Sequence, residues 1–220
     1  TKAALVTHAR TRPGVAFIGG HPMAGSTHSG FAHASSGLFV GRPWILTPDV
    51  EGPLGPAATG MALARLTQLV VGIGARPGVM RAAAHDPVMA YVSHLPQIVS
   101  STLMAVVGKE VMTDGLQFAG PGLADTTRLA GSAPSLWLDI LATNATHVGR
   151  ALEALRHALP SIDQLAGDAA AMQPVLQDGR RWRTAFEGQR PARTGARVLH
   201  RPATRTFLEM RSPDQVVPFD

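Results

Sequence analysis

Apolar residues follow two different rhythms along this 220-residue chain. Up to about residue 85 they come in short clusters bounded by Gly and Pro; beyond it they recur at three- and four-residue steps. The run Val15-Ala16-Phe17-Ile18 reads as a strand over 15–18, and Trp44-Ile45-Leu46-Thr47-Pro48 as a second strand stopped by its proline. Residues 3–10 read as the end of a helix and 19–37 as a loop rich in Gly, Ser and His. Between Thr59 and Val71, the residues Leu63, Leu66, Leu69 and Val70 keep helical spacing until Gly72 and Gly74 end it, and Val79-Met80 reads as an edge strand.

From Asp86 onward the pattern is helical. Asp86 is a natural N-cap with Pro87 at the first helical position, after which Tyr91, Leu95, Ile98, Thr102 and Val106 line one face. Pro96 falls inside that helix, which predicts a kink with freed carbonyls near Val92. A second helix is expected from Pro134 to Leu159, striped by Leu141, Ala145, Val148, Leu152, Leu155 and Leu159 and stopped by Pro160. Ser161 would cap a third, carrying Ile162, Leu165, Ala169 and Met172 as far as Pro174. An α/β part followed by striped helices predicts a mostly α chain whose helical part buries surface against a partner subunit, with the boundary near Ala82 to His85.

Composition narrows the classes. With 45% apolar residues the chain can bury a substantial core, and with no cysteine it has no disulfide, thiolate nucleophile or Cys-ligated zinc. The windows Leu63 to Ile73 and Leu95 to Val107 are broken by polar residues and fall short of the roughly 20 apolar positions that span a bilayer, so a soluble protein is expected. The net charge of +5 comes largely from arginines of the final stretch, among them Arg180, Arg181, Arg193, Arg201 and Arg211. A polyanion-binding patch is one reading; a solvated, Arg-biased surface is the other and is preferred, since no nucleic-acid signature accompanies it. The opening Thr1-Lys2-Ala3 reads as an internal start, with any nucleotide-binding fingerprint lying upstream.

The chemistry concentrates at Gly19-Gly20-His21-Pro22-Met23-Ala24-Gly25-Ser26. A histidine at the carboxyl end of a strand, between glycines that admit a ligand and before a proline that keeps it extended, can act as a base near neutral pH. The same residue can equally be a loop histidine bonded to backbone. His85-Asp86 reads as a hinge or interface pair, His94 as a histidine beside the kink, and His28, His33, His147, His157 and His200 as surface residues. No ligand spacing for a metal is present.

Gly20-His21-Pro22-Met23-Ala24-Gly25, Ser29-Gly30, Trp44 to Pro48, His85-Asp86, Ser93-His94-Leu95-Pro96, Asp125-Thr126-Thr127-Arg128-Leu129-Ala130 and Trp137 follow one another in an order and spacing that resemble the prephenate/arogenate dehydrogenases of tyrosine biosynthesis. The resemblance covers roughly residues 1–175. It implies the end of a Rossmann nucleotide-binding domain over 1–84, a helical dimerisation and substrate-binding domain over 85–195, and an Arg/Pro-rich tail over 196–220. It further implies a cytoplasmic homodimer that oxidatively decarboxylates prephenate or arogenate with NAD or NADP, without nucleic acid or membrane as partner. This chain alone would then be an inactive fragment of the enzyme. The alternative from the residues themselves is a non-catalytic dimerisation and ligand-binding module.

By the same resemblance His21 is the catalytic base at the ring hydroxyl and Arg128 the carboxylate clamp. Ser26 and Thr27 bond substrate or nicotinamide, Gln97 donates to a carboxylate, Trp137 walls the pocket, and Gly25 and Asp125 lie at the cofactor. Three departures soften the substrate assignment. Thr27-His28 stands where an acidic residue and a Lys are common, Gln97 where a His often follows Pro96, and Leu123-Ala124-Asp125 where Phe-Arg-Asp is common.

Overall fold

The computed structural model describes residues 1–12, 14–25, 30–165, 170, 172–189 and 217–218. Its elements are α1 (Ala3–Ala9), β1 (Ile18–Pro22), a 3-10 turn (Phe31–His33), β2 (Pro43–Pro48), α2 (Gly55–Gly72) and β3 (Arg76–Val79). There follow α3 (Ala82–Met89), a π-helical turn (Ala90–His94), α4 (Leu95–Leu116), α5 (Pro121–Thr127) and a second 3-10 turn (Arg128–Gly131). The chain continues with α6 (Pro134–Thr143), α7 (Ala145–Leu165), α8 (Gln173–Gly188) and a two-residue β4 (Val217–Pro218). It divides into two compact units, the first being Thr1–Val148 with β4 and the second Gly149–Leu199. In the second unit α8 is an amphipathic helix with Leu176, Trp182 and Phe186 exposed.

In the first unit the strands lie in the order β1-β2-β3-β4, with β1 antiparallel to β2, β2 parallel to β3 and β4 antiparallel to β3. Strand β2 is buried on both faces, which is why its sequence is an unbroken apolar run. Leu46 packs with Leu63 and Val70 of α2 and with Ala75 and Val79, whereas Ile45 packs with Met80 and with Met89 of α3. The β1–β2 register sets His21 opposite Ile45, and directly opposed residues point to one face. His21 is therefore delivered to the face covered by α3.

Several expectations shift in instructive ways. The first strand is Ile18–Pro22, so His21 stands within a strand and not in a loop beyond it. The glycines before it serve packing: a Cβ on Gly19 would collide with the Thr47 hydroxyl, and one on Gly20 would lie 3.0 Å from Trp44 Nε1. Strand β3 lies inside the sheet and begins at Arg76, not at an edge around Val79. Helix α3 begins at Ala82, leaving Pro87 inside it, and Asp86 caps a different helix: its carboxylate accepts from the backbone N–H groups of Lys2 (2.7 Å) and Ala3 (3.0 Å) at the start of α1. The far end of α1 is held by Arg10, which binds Asp49 through two hydrogen bonds of 2.7 and 2.8 Å.

Pro96 stands in the first turn of α4, directly after the π turn Ala90–His94, a local widening of the helix beside a residue that has no N–H to donate. Ala82–Leu116 forms a run of 35 residues, interrupted by non-helical backbone at Met112 (φ 53°, ψ −174°), that contains an 18-residue window of mean hydropathy 1.2, of which 22% is buried. By length and composition that run could span a bilayer, contrary to the shorter windows read from sequence. The expected helix from Pro134 to Leu159 is broken at Asn144 into α6 and α7. Pro160 does not stop α7, and Ser161 lies inside it; Pro174 starts α8 instead of ending a helix. Of the expected third-helix stripe, Ala169 lies outside the described residues.

Gly19→Ala is expected to lower stability by about 1–3 kcal/mol, because the added methyl must displace Thr47 from a fully buried position. Urea denaturation of the two proteins measures it; equal midpoints would show that β1 can shift at no cost.

Candidate functional site

Where β1, α3, the π turn and α6 converge on the start of α1, they enclose a cavity of about 130 Å³. Thr1, Lys2, His21, His85, Asp86, Met89, Ser93, His94, Trp137 and Ile140 line it. An apolar cavity of roughly 150 Å³ holds benzene, so this space is scaled to one six-membered ring and far too small for a dinucleotide.

Polar contacts around the cavity form a chain. His21 Nδ1 lies 2.8 Å from His85 Nε2, and His85 Nδ1 lies 2.8 Å from Asp86 Oδ1. Asp86 also accepts the two α1 backbone bonds. Both His85 and Asp86 are almost wholly buried, at 2% and 4% exposure. On the other side Asn144 Nδ2 lies 2.9 Å from the Asp86 carbonyl oxygen and 3.2 Å from His94 Nδ1. The carbonyl can only accept, so the Asn144 amide donates to it and, with its second hydrogen, to His94 Nδ1. A neutral His94 then carries its proton on Nε2 and is a donor, with its ring set edge-on to Trp137 at 6.1 Å between centroids.

Burial favours the neutral form of two of the three cavity histidines, His21 and His94. Burial, then the neighbouring His85 and Lys2, push the His21 imidazole down from 6.5 to about 4. Burial likewise lowers His94, with the Asp86 charge opposing. Burial alone would raise the Asp86 carboxyl, yet the bonds it accepts from His85, Ala3 and Lys2 outweigh that and hold it at about 2. Lys2 is lowered by burial, again against the Asp86 charge. The cavity thus holds the neutral imidazoles of His21 and His94 beside an ionised carboxylate that accepts three hydrogen bonds.

Of the residues given site roles by the resemblance, His21 and Trp137 line this cavity, and so do His85 and Asp86, read from sequence as a hinge or interface pair, and His94, read as a histidine beside the kink. Ser26 and Thr27 lie outside the described residues. Gly25 and Asp125 are exposed and stand outside the cavity lining, as does Arg128, which begins the 3-10 turn after α5. Gln97 is buried, with its amide nitrogen donating to the Leu129 carbonyl (2.9 Å) and the Ser101 hydroxyl (3.2 Å) while Oε1 has no partner among the described residues. Sequence reasoning passed over the contribution of His85, Asp86 and Asn144. The signal for the first two was there: an adjacent His-Asp pair just past an apolar strand, which is the same logic that pointed to His21.

For a dinucleotide the described residues supply no phosphate cradle. The N–H groups opening α1 are taken by Asp86, and no glycine-rich turn there joins a strand directly to a helix N-terminus. Among the described residues no cluster of metal-ligating side chains occurs.

Residues 1–77 match the family model described as prephenate dehydrogenase, nucleotide-binding domain, and residues 81–172 the one described as prephenate dehydrogenase, dimerization domain. Cyclohexadienyl dehydrogenase of Zymomonas mobilis is 30% identical over 193 residues, covering 86% of this chain and 60% of the relative. Arogenate dehydrogenase of Synechocystis superposes with a TM-score of 0.69 at 29% identity, over 84% of this chain and 66% of that one. Prephenate dehydrogenase from A. aeolicus, solved with hydroxyphenyl propionate and NAD+, superposes with a TM-score of 0.66 at 28% identity, over 77% of this chain and 59% of that one. The chain therefore spans about 60% of the length of such relatives.

A depressed imidazole makes stability depend on pH with a definite sign. Between pH 6.5 and about 4 the unfolded chain binds a proton at His21 that the folded chain refuses, so stability falls as pH drops through that window and levels off with respect to this group below it. Urea midpoints measured from pH 7 to 4 are expected to decline, and to decline less steeply in His21→Gln; identical slopes would place the cost elsewhere.

Proposed function

We propose, since the chain belongs to the prephenate/arogenate dehydrogenase family, that it carries the proton-accepting and ring-binding part of an oxidoreductase that converts prephenate or arogenate to its aromatic product. The observation that carries this reading is His21: a neutral imidazole on a strand, lining a ring-sized cavity, with no described group bonded to its Nε2. With the ring hydroxyl against His21, the imidazole draws on the hydroxyl proton as hydride leaves the same carbon, the bond to the ring carboxylate breaks, carbon dioxide departs, and the ring becomes aromatic. Bound NAD or NADP supplies the hydride acceptor. Trp137 and Met89 keep the ring dry, and His94, as an Nε2 donor, can bond a substrate oxygen across the cavity.

Arg128 is proposed as the cation for a substrate carboxylate, because its exposed guanidinium pairs with no described residue. Ser26, Thr27, Gln97, Gly25 and Asp125 keep their proposed binding roles from the family resemblance. The domain division at residues 84 and 85 is part of the same proposal, as is a cytoplasmic location. The 220-residue chain alone is expected to be silent, since its described residues form no cradle for the nucleotide phosphates.

We also propose a homodimer. Tyr91, Val92, Val106, Val111 and Met112 along the π turn and α4 are about half exposed or more, as are Leu136 and Leu138 of α6. Such an apolar area on a helical domain calls for a covering copy.

Two measurements follow. In the protein that carries this chain, nicotinamide reduction with prephenate or arogenate should fall by about 10²- to 10⁴-fold in kcat on His21→Asn, with KM little changed; near-normal turnover would remove His21 from the chemistry. Sedimentation equilibrium of the 220-residue chain at micromolar concentration should report a dimer, and a monomer throughout would contradict the proposed interface.

A further inference from the structure

We propose that Asp86 and His85 are positioning residues that hold His21 in the single tautomer whose Nε2 is unprotonated, so that the strand histidine is presented as a hydrogen-bond acceptor. The inference deepens the reading of His21 as proton acceptor and rests on it for its catalytic meaning; the proton arrangement follows from the hydrogen-bond geometry when His85 carries a single proton.

Protons can be placed one at a time. Asp86 is an ionised carboxylate that takes the Lys2 and Ala3 backbone N–H groups at 2.7 and 3.0 Å, and it has only acceptors to offer. The 2.8 Å contact from His85 Nδ1 therefore requires a proton on that nitrogen. With that one proton His85 is bare at Nε2, and its 2.8 Å contact with His21 Nδ1 then requires His21 Nδ1 to carry a proton. A neutral His21 protonated at Nδ1 has its lone pair at Nε2, the nitrogen that no described residue bonds. The rings of His21 and His85 are tilted by 56° with centroids 5.1 Å apart, which fits an in-plane hydrogen bond and excludes stacking. The other groups near His21 do not disturb this order: Lys2 only donates, and His94 is engaged at Nδ1 by Asn144.

The anchor of this chain lies in backbone. Asp86 is fixed by α1 and His85 by its place in α3, so the side chain of His21 inherits an orientation from two helices outside its own strand. In the competing arrangement a doubly protonated His85 would donate to both neighbours and leave His21 with its proton on Nε2, useless as an acceptor.

The test is tautomer-resolved. Nitrogen-15 to proton correlation spectra of the imidazoles, recorded on the histidine-labelled 220-residue chain at neutral pH, should show His21 protonated at Nδ1 and pyridine-like at Nε2. His85→Phe should shift His21 toward the Nε2-protonated form that free imidazole side chains prefer. His85→Gln should keep the Nδ1 form, because its amide can donate to Asp86 and its carbonyl can accept from His21. In the protein that carries this chain, kcat should drop by about 10- to 100-fold in His85→Phe and recover to within a few-fold in His85→Gln, with KM nearly constant in both. A wild-type His21 protonated at Nε2, or a His85→Phe protein with an unchanged His21 tautomer, overturns the proposal. Should His85→Phe fail to fold, the wild-type and His85→Gln spectra still decide it. Correct tautomers in a protein that oxidises neither cyclohexadienol would leave the positioning intact and defeat the functional reading instead.

Discussion

A single buried carboxylate organises the first unit. Asp86 receives two backbone N–H groups from the start of α1, one imidazole N–H from His85, and offers its own carbonyl to Asn144 where α6 gives way to α7. Removing a charge of this kind from water costs several kcal/mol unless its lone pairs find donors, and here three donors come from two separate segments of chain, α1 and α3. The carboxylate therefore ties α1 to α3, and the backbone carbonyl of the same residue ties in the α6–α7 junction. The cavity is what remains between them.

The sequence made the sheet strands and the helices legible where one local rule governed. The buried run at Trp44 to Pro48 and the stripe Leu63, Leu66, Val70 obey periodicity and nothing else, and they appear where expected. Rules collided at glycine and proline. Gly19 and Gly20 look like turn residues because glycine is frequent in turns, yet here they are short side chains that let Thr47 and Trp44 approach β1. Pro87 and Pro160 read as boundaries, yet helical backbone runs through both, while Pro96, read as lying inside its helix, directly follows the π turn Ala90–His94.

The site divided along a similar line. His21 and Trp137 could be picked out because each belongs to a compact motif, and both line the cavity. Asp86 was read as the cap of its own helix because local spacing suggested it, while its partners are 83 and 84 residues distant in sequence. Asn144 lies 58 residues from the carbonyl it binds. No one-dimensional pattern reports such pairings, since the hydrogen-bond partner of a buried group is chosen by the fold and not by its neighbours in sequence.

The residues of the chain Asp86, His85 and His21 straddle the two family matches: His21, Lys2 and Ala3 belong to the stretch 1–77, His85 and Asp86 to 81–172. Each half is chemically incomplete without the other. Without the packing of one stretch on the other, Asp86 has neither backbone donor and His21 lacks its partner. The proposed orientation of His21 thus belongs to neither stretch alone, because the hydrogen bonds that set it run from one to the other.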